Sequence, residues 1–183
     1  MKNIISDELM DLFNILNSSY ESYFVGGAVR DMILGYSIND YDITTLATPD
    51  EIRETLHMYK TIDIGGSLGT VLARTENFSV DITPFRIEGE YKNYRKPEGV
   101  IFSKDVRDDI KRRDFTINAI LFNGEFIDYV GGLEDLKNKI IRAIGDPEER
   151  IREDALRILR AVRFASKYDF EIEDGLKSAI ISN

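Results

Sequence analysis

The stretch YFVGGAVRDMILGYSINDYDITTLATPDE, residues 23–51, joins a Gly-Gly pair, an arginine and two near-neighbour carboxylates. A short apolar run, Tyr23-Phe24-Val25, reads as a buried strand ended by Gly26-Gly27, and residues 28–35 read as a helix stopped by Gly35. YDITTL then reads as a second strand. Asp40 and Asp42 lie two apart there, so their side chains share a face with Cα atoms about 7 Å apart. Two carboxylates so placed can bridge hard divalent cations, with water and phosphate oxygens completing the shell. Two such cations about 3.5–4 Å apart would activate an attacking oxygen and stabilise a leaving pyrophosphate. By itself Asp-Tyr-Asp reads more readily as a polar surface loop. Gly-Gly is also an ordinary turn, although glycines let backbone N–H groups approach phosphate oxygens and a following helix N-terminus favours negative charge. Arg30, one turn into that helix, is placed to reach a phosphate or a ribose.

Composition narrows the setting. The 183 residues are 43% hydrophobic and 31% charged, enough for one domain, or one plus a fragment, with a real core. No apolar run approaches the roughly 18 residues of a membrane helix, and the opening MKNIISDELMDLF is amphipathic and acidic rather than a signal peptide. The absence of Cys excludes disulfides and a cysteine nucleophile and fits a reducing cytoplasm. The one His, His57, leaves no His-based zinc site and reads as a solvated helix residue. A net charge of −9 argues against general stickiness for nucleic acid. Residues 150–167, by contrast, carry six Lys/Arg against two acids.

Along the rest of the chain, Leu9, Leu12, Phe13 and Leu16 fall on one face of a helix over 7–17. Thr48, Pro49 and Glu51 form a capping-box start for a helix through about Met58. Residues 68–74 and 77–84 form a hairpin in which Phe78, Val80 and Ile82 point one way and Ser79, Asp81 and Thr83 the other. Asp81 is thereby a candidate third carboxylate. Residues 86–104 have no clean period and read as a mobile loop. Helices are expected at about 105–112 and 114–122, then a strand FIDYV and a Gly-Gly turn. Asp146, Pro147 and Glu149 start a further helix that should run to about Tyr168. Its apolar stripe would be Ile151, Ala155, Ile158, Val162 and Ala165, with Asp154, Arg157, Arg160 and Arg163 opposite. Those charges suit a solvated face, yet an Asp with an Arg one turn later also presents acceptors and planar donors together, as a base edge requires. Arg113 and Asp114, at a helix junction, read as a structural salt bridge or as a nucleotide contact. The last helix, DGLKSAIISN, is expected to lack a partner for its apolar side, as if a larger helical region were cut short. The pattern is α+β, a mixed sheet flanked by helices, with a boundary near Gly145.

Neither a P-loop nor a Rossmann fingerprint occurs. Gly-Gly, a spacer, an apolar-flanked Asp-x-Asp and a later strand carboxylate resemble instead the polymerase-β-like nucleotidyltransferase fold. More closely they resemble the bacterial-type (class II) tRNA nucleotidyltransferase and poly(A) polymerase family. GGAVRDMILG with DYDITT is similar to that family's first motif, VDITPFR to the strand of its third carboxylate, and RRDFTINAI to its ribose-selecting motif. DYVGG is similar to its head–neck hinge and REDALRILRAVRFA to its nucleobase-reading helix. Five motifs in order cover about residues 23–165.

The resemblance implies a catalytic head over 1–145 and the start of a helical neck over 146–183, body and tail absent. It implies Mg²⁺ on Asp40 and Asp42, Asp81 as the third catalytic carboxylate, and CTP and ATP added to tRNA 3′ ends. Gly26, Gly27 and Arg30 would grip the triphosphate. Arg113 would contact the nucleotide, and Asp114 would partner the ribose 2′-OH or organise Arg113. Asp154 and Arg157 would select the base, with Arg160 and Arg163 holding the nucleotide. The 86–104 loop resembles a family element linked to the switch from C to A addition. A poly(A) polymerase, a CC-only or A-only enzyme, or a nucleotide-binding fragment without independent transfer fits the same residues.

Overall fold

The computed structural model describes residues 5–89, 91–92, 96–97 and 99–183. Helix α1 (Asp7–Ser19) is capped by the Ser6 hydroxyl and buries Leu9, Leu12, Phe13 and Leu16, the expected face. Strand β1 (Ser22–Val25) runs into α2 (Gly27–Leu34), and β2 (Tyr41–Thr45) into α3 (Pro49–Thr55). Thr48 and Glu51 close the anticipated capping box. Helix α3 stops short of Met58, leaving His57 exposed in a turn. Then come β3 (Lys60–Asp63), β4 (Val71–Arg74) and β5 (Ser79–Pro84), the last alternating buried Val80 and Ile82 with half-exposed Asp81 and Thr83. In place of the mobile loop expected over 86–104, the described residues form two short antiparallel strand pairs. Strand β6 (Arg86–Glu88) pairs with β9 (Val100–Phe102), and β7 (Tyr91–Lys92) with β8 (Lys96–Pro97). Residues 90, 93–95 and 98 of that stretch lie outside the described residues.

The remaining elements are α4 (Val106–Lys111), β10 (Leu121–Phe122), β11 (Phe126–Ile127), α5 (Gly132–Asn138), β12 (Ile140–Ile141), α6 (Pro147–Glu153), α7 (Leu156–Tyr168), β13 (Glu171–Ile172) and α8 (Asp174–Ser182). A seven-stranded mixed sheet in the order β11-β10-β1-β2-β5-β4-β3 forms the frame. Its pairs are antiparallel except β2 with β5, which run parallel and set Asp42 beside Asp81. Parallel pairing puts both carboxylates on the same face at the same level, which neither strand encodes alone. The α+β class, a mixed sheet flanked by helices, is therefore as read from the sequence.

Four local expectations fail for physical reasons. The helix expected over 114–122 is a 3-10 turn, Thr116–Asn118, leading into β10. Every residue from Asp114 to Leu121 is buried, so the segment has no solvent face for an amphipathic helix and threads the core instead. The FIDYV strand shortens to β11 because the Asp128 carboxylate accepts from the N–H groups of Val130, Gly131 and Leu133 and turns the chain into α5. The single helix expected from Pro147 to Tyr168 breaks at Asp154, whose backbone is extended and whose carboxylate accepts from Leu156 N at 3.0 Å. Asp competes for backbone groups in this way and favours helix ends over interiors. The break re-aims α7, which buries Arg157, Ala161, Phe164 and Tyr168 and leaves Leu156, Leu159 and Val162 exposed. The apolar stripe drawn through Val162 is thus partly on the surface. Finally, α8 does have a partner: Leu176 and Ala179 are buried against the core, and α8 packs on α6.

One hydrophobic cluster runs from Leu9 through Phe24 and Ile43 to Ile151, Phe164 and Leu176, and β12 pairs with β13. The segments before and after Gly145 are therefore packed together. No helix among the described residues is long and apolar enough to cross a membrane.

Candidate active site

The end of β1, the start of α2, the lead-in to β2, the segment after α4 and one side of α7 enclose a cavity of about 430 Å³. Of the residues singled out in the sequence, Gly26, Gly27, Arg30, Asp40, Asp42, Arg113, Asp114, Arg160 and Arg163 line it. Asp81, Asp154 and Arg157 do not. Asp81 is the register partner of Asp42 on β5. Asp154 caps α7. Arg157 turns inward, donating to Glu153 (2.6 Å) and to the backbone carbonyls of Arg150 (2.7 Å) and Arg112 (3.2 Å). It thereby ties α6, α7 and the end of α4 together one turn before Arg160.

The Gly-Gly turn has a local cause. Gly26 has φ +74°, a left-handed value that L side chains rarely adopt, and a Cβ there would stand 2.8 Å from Asp42 Oδ2. The glycine therefore leaves space for a carboxylate as well as for a ligand. Burial raises the Asp42 pKa above the usual carboxylate value. Arg113 opposes the shift, repulsion from Asp81 and Asp40 adds to it, and Arg160 again opposes. Asp81 is also raised, by burial and then by Asp40. Two carboxylates whose pKa is raised in part by neighbouring negative charge form a place where a cation would relieve repulsion. Among the described residues, no group of three or more His, Cys, Asp or Glu is gathered so as to hold a metal ion. The donor set fits a hard cation that keeps water or phosphate oxygens alongside one or two carboxylates, the habit of Mg²⁺.

The opposite wall is cationic and connected. Arg30 Nη1 donates to Asn118 Oδ1 (2.6 Å), and Asn118 Nδ2 donates to Asp114 Oδ1 (3.1 Å). Asp114 Oδ2 accepts from Arg160 Nε (2.7 Å), so one hydrogen-bonded line joins α2, the 3-10 turn and α7. Arg113 is oriented from behind. Its Nε and Nη2 donate to Asp109 Oδ2 (3.2 and 2.8 Å), while Asp109 Oδ1 takes Arg112 Nε (2.8 Å). Thr44, two residues past Asp42, donates its hydroxyl to the same Asp109 at 3.2 Å. Asp109 is 0% exposed. Burial alone would raise its pKa, but the Arg113 and Arg112 guanidiniums outweigh that and hold it below the usual carboxylate value.

Sequence reasoning missed Asp31, Asp109, Asn118, Phe164, Lys167 and Tyr168. Asn118, four residues after Asp114 in the same motif, carried a spacing signal. Asp31, next to Arg30, and Asp109, four residues before Arg113, are also local neighbours, whereas Phe164, Lys167 and Tyr168 reach Arg30 and Asp31 only through the fold.

The family model described as "Poly A polymerase head domain" matches residues 22–142. The chain belongs to the poly(A) polymerase head-domain family. Among curated members, the CCA-adding enzyme of Bacillus licheniformis is 44% identical over 185 residues, covering 100% of this chain and 46% of that protein. The CCA-adding enzyme of Bacillus stearothermophilus, solved in complex with CTP, superposes with a TM-score of 0.87 at 39% identity, covering 100% of this chain and 44% of that one. A tRNA nucleotidyltransferase solved with a primer tRNA and an incoming ATP analogue gives 0.72 at 29% identity, covering 90% of this chain and 46% of that one. The chain thus spans less than half the length of these relatives.

Proposed function

We propose that this chain is the catalytic head (residues 1–145) and first neck segment (146–183) of a template-independent tRNA nucleotidyltransferase that adds CMP and AMP, as CCA, to tRNA 3′ ends. The observation that carries the reading is the pairing of Asp42 with Asp81 beside Gly26, facing a wall of Arg30, Arg113 and Arg160. Supporting it, relatives are named CCA-adding enzymes, and solved neighbours hold CTP, an ATP analogue and tRNA.

In this reading an RNA 3′-hydroxyl attacks the α-phosphorus of CTP or ATP in line. A P–O bond forms to the RNA, the α–β bridge breaks and pyrophosphate leaves. Asp40 and Asp42 would hold Mg²⁺, which when bound supplies charge for the phosphate oxygens and a lower pKa for the attacking hydroxyl. Asp81, its pKa raised, orients that hydroxyl and can take its proton. Gly26, Gly27 and Arg30 grip the polyphosphate, and Arg113 contacts the nucleotide. Asp114 accepts from the ribose 2′-OH while holding Arg160 and Asn118; it does not organise Arg113, which Asp109 holds. Arg160 and Arg163 hold the nucleotide from α7. Asp154 and Arg157 read the base edge, which requires Arg157 to exchange its Glu153 and backbone bonds for bonds to the base. Most of the acceleration would be positioning and charge stabilisation.

Two further readings rest on observations. The matching family model is that of a poly(A) polymerase head, which would accept ATP alone and extend many residues. A unit that binds nucleotide in this cavity without transferring it is the other reading of the same lining residues. A primer-extension assay tests all three, using tRNA lacking CCA, Mg²⁺, and CTP and ATP separately and together. Addition of C, C and A followed by a stop supports CCA addition, and C-only or A-only products name a partial specificity. A long A ladder supports the polymerase. Nucleotide binding without product supports the binding unit.

A further inference from the structure

Arg30 is the most enclosed charge in the cavity wall, 5% exposed. Its Nε donates to Asp31 Oδ1 (2.8 Å) and its Nη1 to Asn118 Oδ1 (2.6 Å). The rings of Phe164 and Tyr168, both on α7, cover the guanidinium, whose carbon lies 4.9 and 4.6 Å from their centroids. The remaining nitrogen, Nη2, stands against the Gly-Gly turn, where a Cβ on Gly27 would be 3.3 Å away. A guanidinium is a rigid planar fork, so fixing Nε and Nη1 fixes where Nη2 points.

The anchor is itself anchored. Asp31 Oδ1, the oxygen that takes Arg30 Nε, also accepts the Tyr168 hydroxyl at 2.8 Å, a bond that spans 137 residues of sequence. Tyr168 is 4% exposed and does not line the cavity. The other oxygen of Asp31 faces Lys167 Nζ at 3.8 Å. Without the Tyr168 hydroxyl, Asp31 is free to swing toward Lys167 and take Arg30 with it.

We propose that Tyr168 is a positioning residue for the polyphosphate of a nucleoside triphosphate: through Asp31 and its own ring, it aims Arg30 Nη2 from α7 across to the Gly26–Gly27 turn. This rests on the reading that the cavity takes a nucleoside triphosphate. It makes polyphosphate binding depend on α7, an element that follows the head sheet by some thirty residues of chain.

The test is Tyr168→Phe in the full chain, which keeps the ring and deletes one hydroxyl. Binding of CTP, CMP and cytidine is measured by calorimetry with Mg²⁺, alongside melting temperature. The expected result is CTP affinity lower by about 5–10-fold, the scale of one ordinary net hydrogen bond, with CMP and cytidine changed less than twofold. In an Arg30→Lys background, the Tyr168→Phe effect on CTP should vanish, since the two act as one unit. Equal losses for CTP and cytidine would indicate a merely structural tyrosine and overturn the proposal, as would unchanged CTP binding. A parent chain with no CTP affinity would overturn the reading of the cavity, and this proposal with it. A parent that binds CTP while the variant matches it overturns the positioning role alone.

Discussion

A Cβ on Gly26 would lie 2.8 Å from Asp42 Oδ2, closer than real Cβ atoms approach anything. The Gly-Gly turn that lines the cavity is therefore also the wall that seats the Asp42 carboxylate. Gly26→Ala should cost about 1–2 kcal/mol from the positive φ and, in addition, push the Asp42 carboxylate aside. The expected outcome is a folded protein whose Mg²⁺-dependent nucleotide incorporation falls by about two orders of magnitude, the scale that small misplacements produce. Primer extension, with circular dichroism as the fold control, checks it. Incorporation at the parent rate would mean Asp42 is not confined by this glycine.

Asp42 is half-buried and repelled by Asp81 and Asp40. Without metal, Asp42→Asn should stabilise the fold at neutral pH by about 1 kcal/mol, which for a chain of this size raises the melting temperature by roughly 2–4 °C. Adding Mg²⁺ should raise the parent's melting temperature and leave the variant's unchanged, because only the parent keeps both carboxylates. Differential scanning calorimetry with and without Mg²⁺ reads both effects. A variant less stable than the parent without metal would contradict the repulsion.

Asp109, fully buried, holds Arg112 and Arg113 and has a depressed pKa in the fold. A carboxylate whose folded pKa is lowered contributes stability above its unfolded pKa of about 3.9 and loses it as pH falls through the lower folded value. The parent should thus lose this contribution only below about pH 4, and Asp109→Asn should show a flatter stability profile there. At neutral pH that variant should cost about 3–5 kcal/mol, because two guanidiniums lose a buried partner. Thr44→Val, which removes only the 3.2 Å hydroxyl bond, should cost about 1 kcal/mol. Urea titrations from pH 3 to 7 decide the matter.

Asp114 receives Arg160 on one oxygen and Asn118 on the other. If it also accepts a ribose hydroxyl, Asp114→Ala should weaken CTP binding while leaving dCTP nearly unchanged, reducing discrimination by about tenfold or more. Parallel titrations with the two nucleotides test this. An equal loss for both would make Asp114 an organiser of Arg160 and Asn118 only.

Much of the site was legible because its signals are local. Gly26-Gly27, Arg30 and Asp40-x-Asp42 sit within one short span, and the alternation of Val80, Asp81 and Ile82 placed Asp81 off the core face before any pairing was known. Thr48-Pro49-Glu51 and Asp146-Pro147-Glu149 marked helix starts, because caps satisfy backbone groups a few residues away. Local signals misled where burial or a side-chain bond took precedence. Residues 114–122 are too enclosed for an amphipathic helix, Asp128 cuts short a strand, and Asp154 breaks a helix that periodicity alone would continue.

The amino-acid sequence by itself determined the α+β class, the order of the motifs and nine of the residues that line the cavity, because these follow from neighbours along the chain. Only the tertiary structure decided that Asp42 and Asp81 stand side by side, that Arg157 turns inward and that Tyr168 stands behind Arg30. Strand register, loss of solvent and the approach of groups more than a hundred residues apart set these relationships. They depend on how the whole chain packs, and no window of sequence contains them.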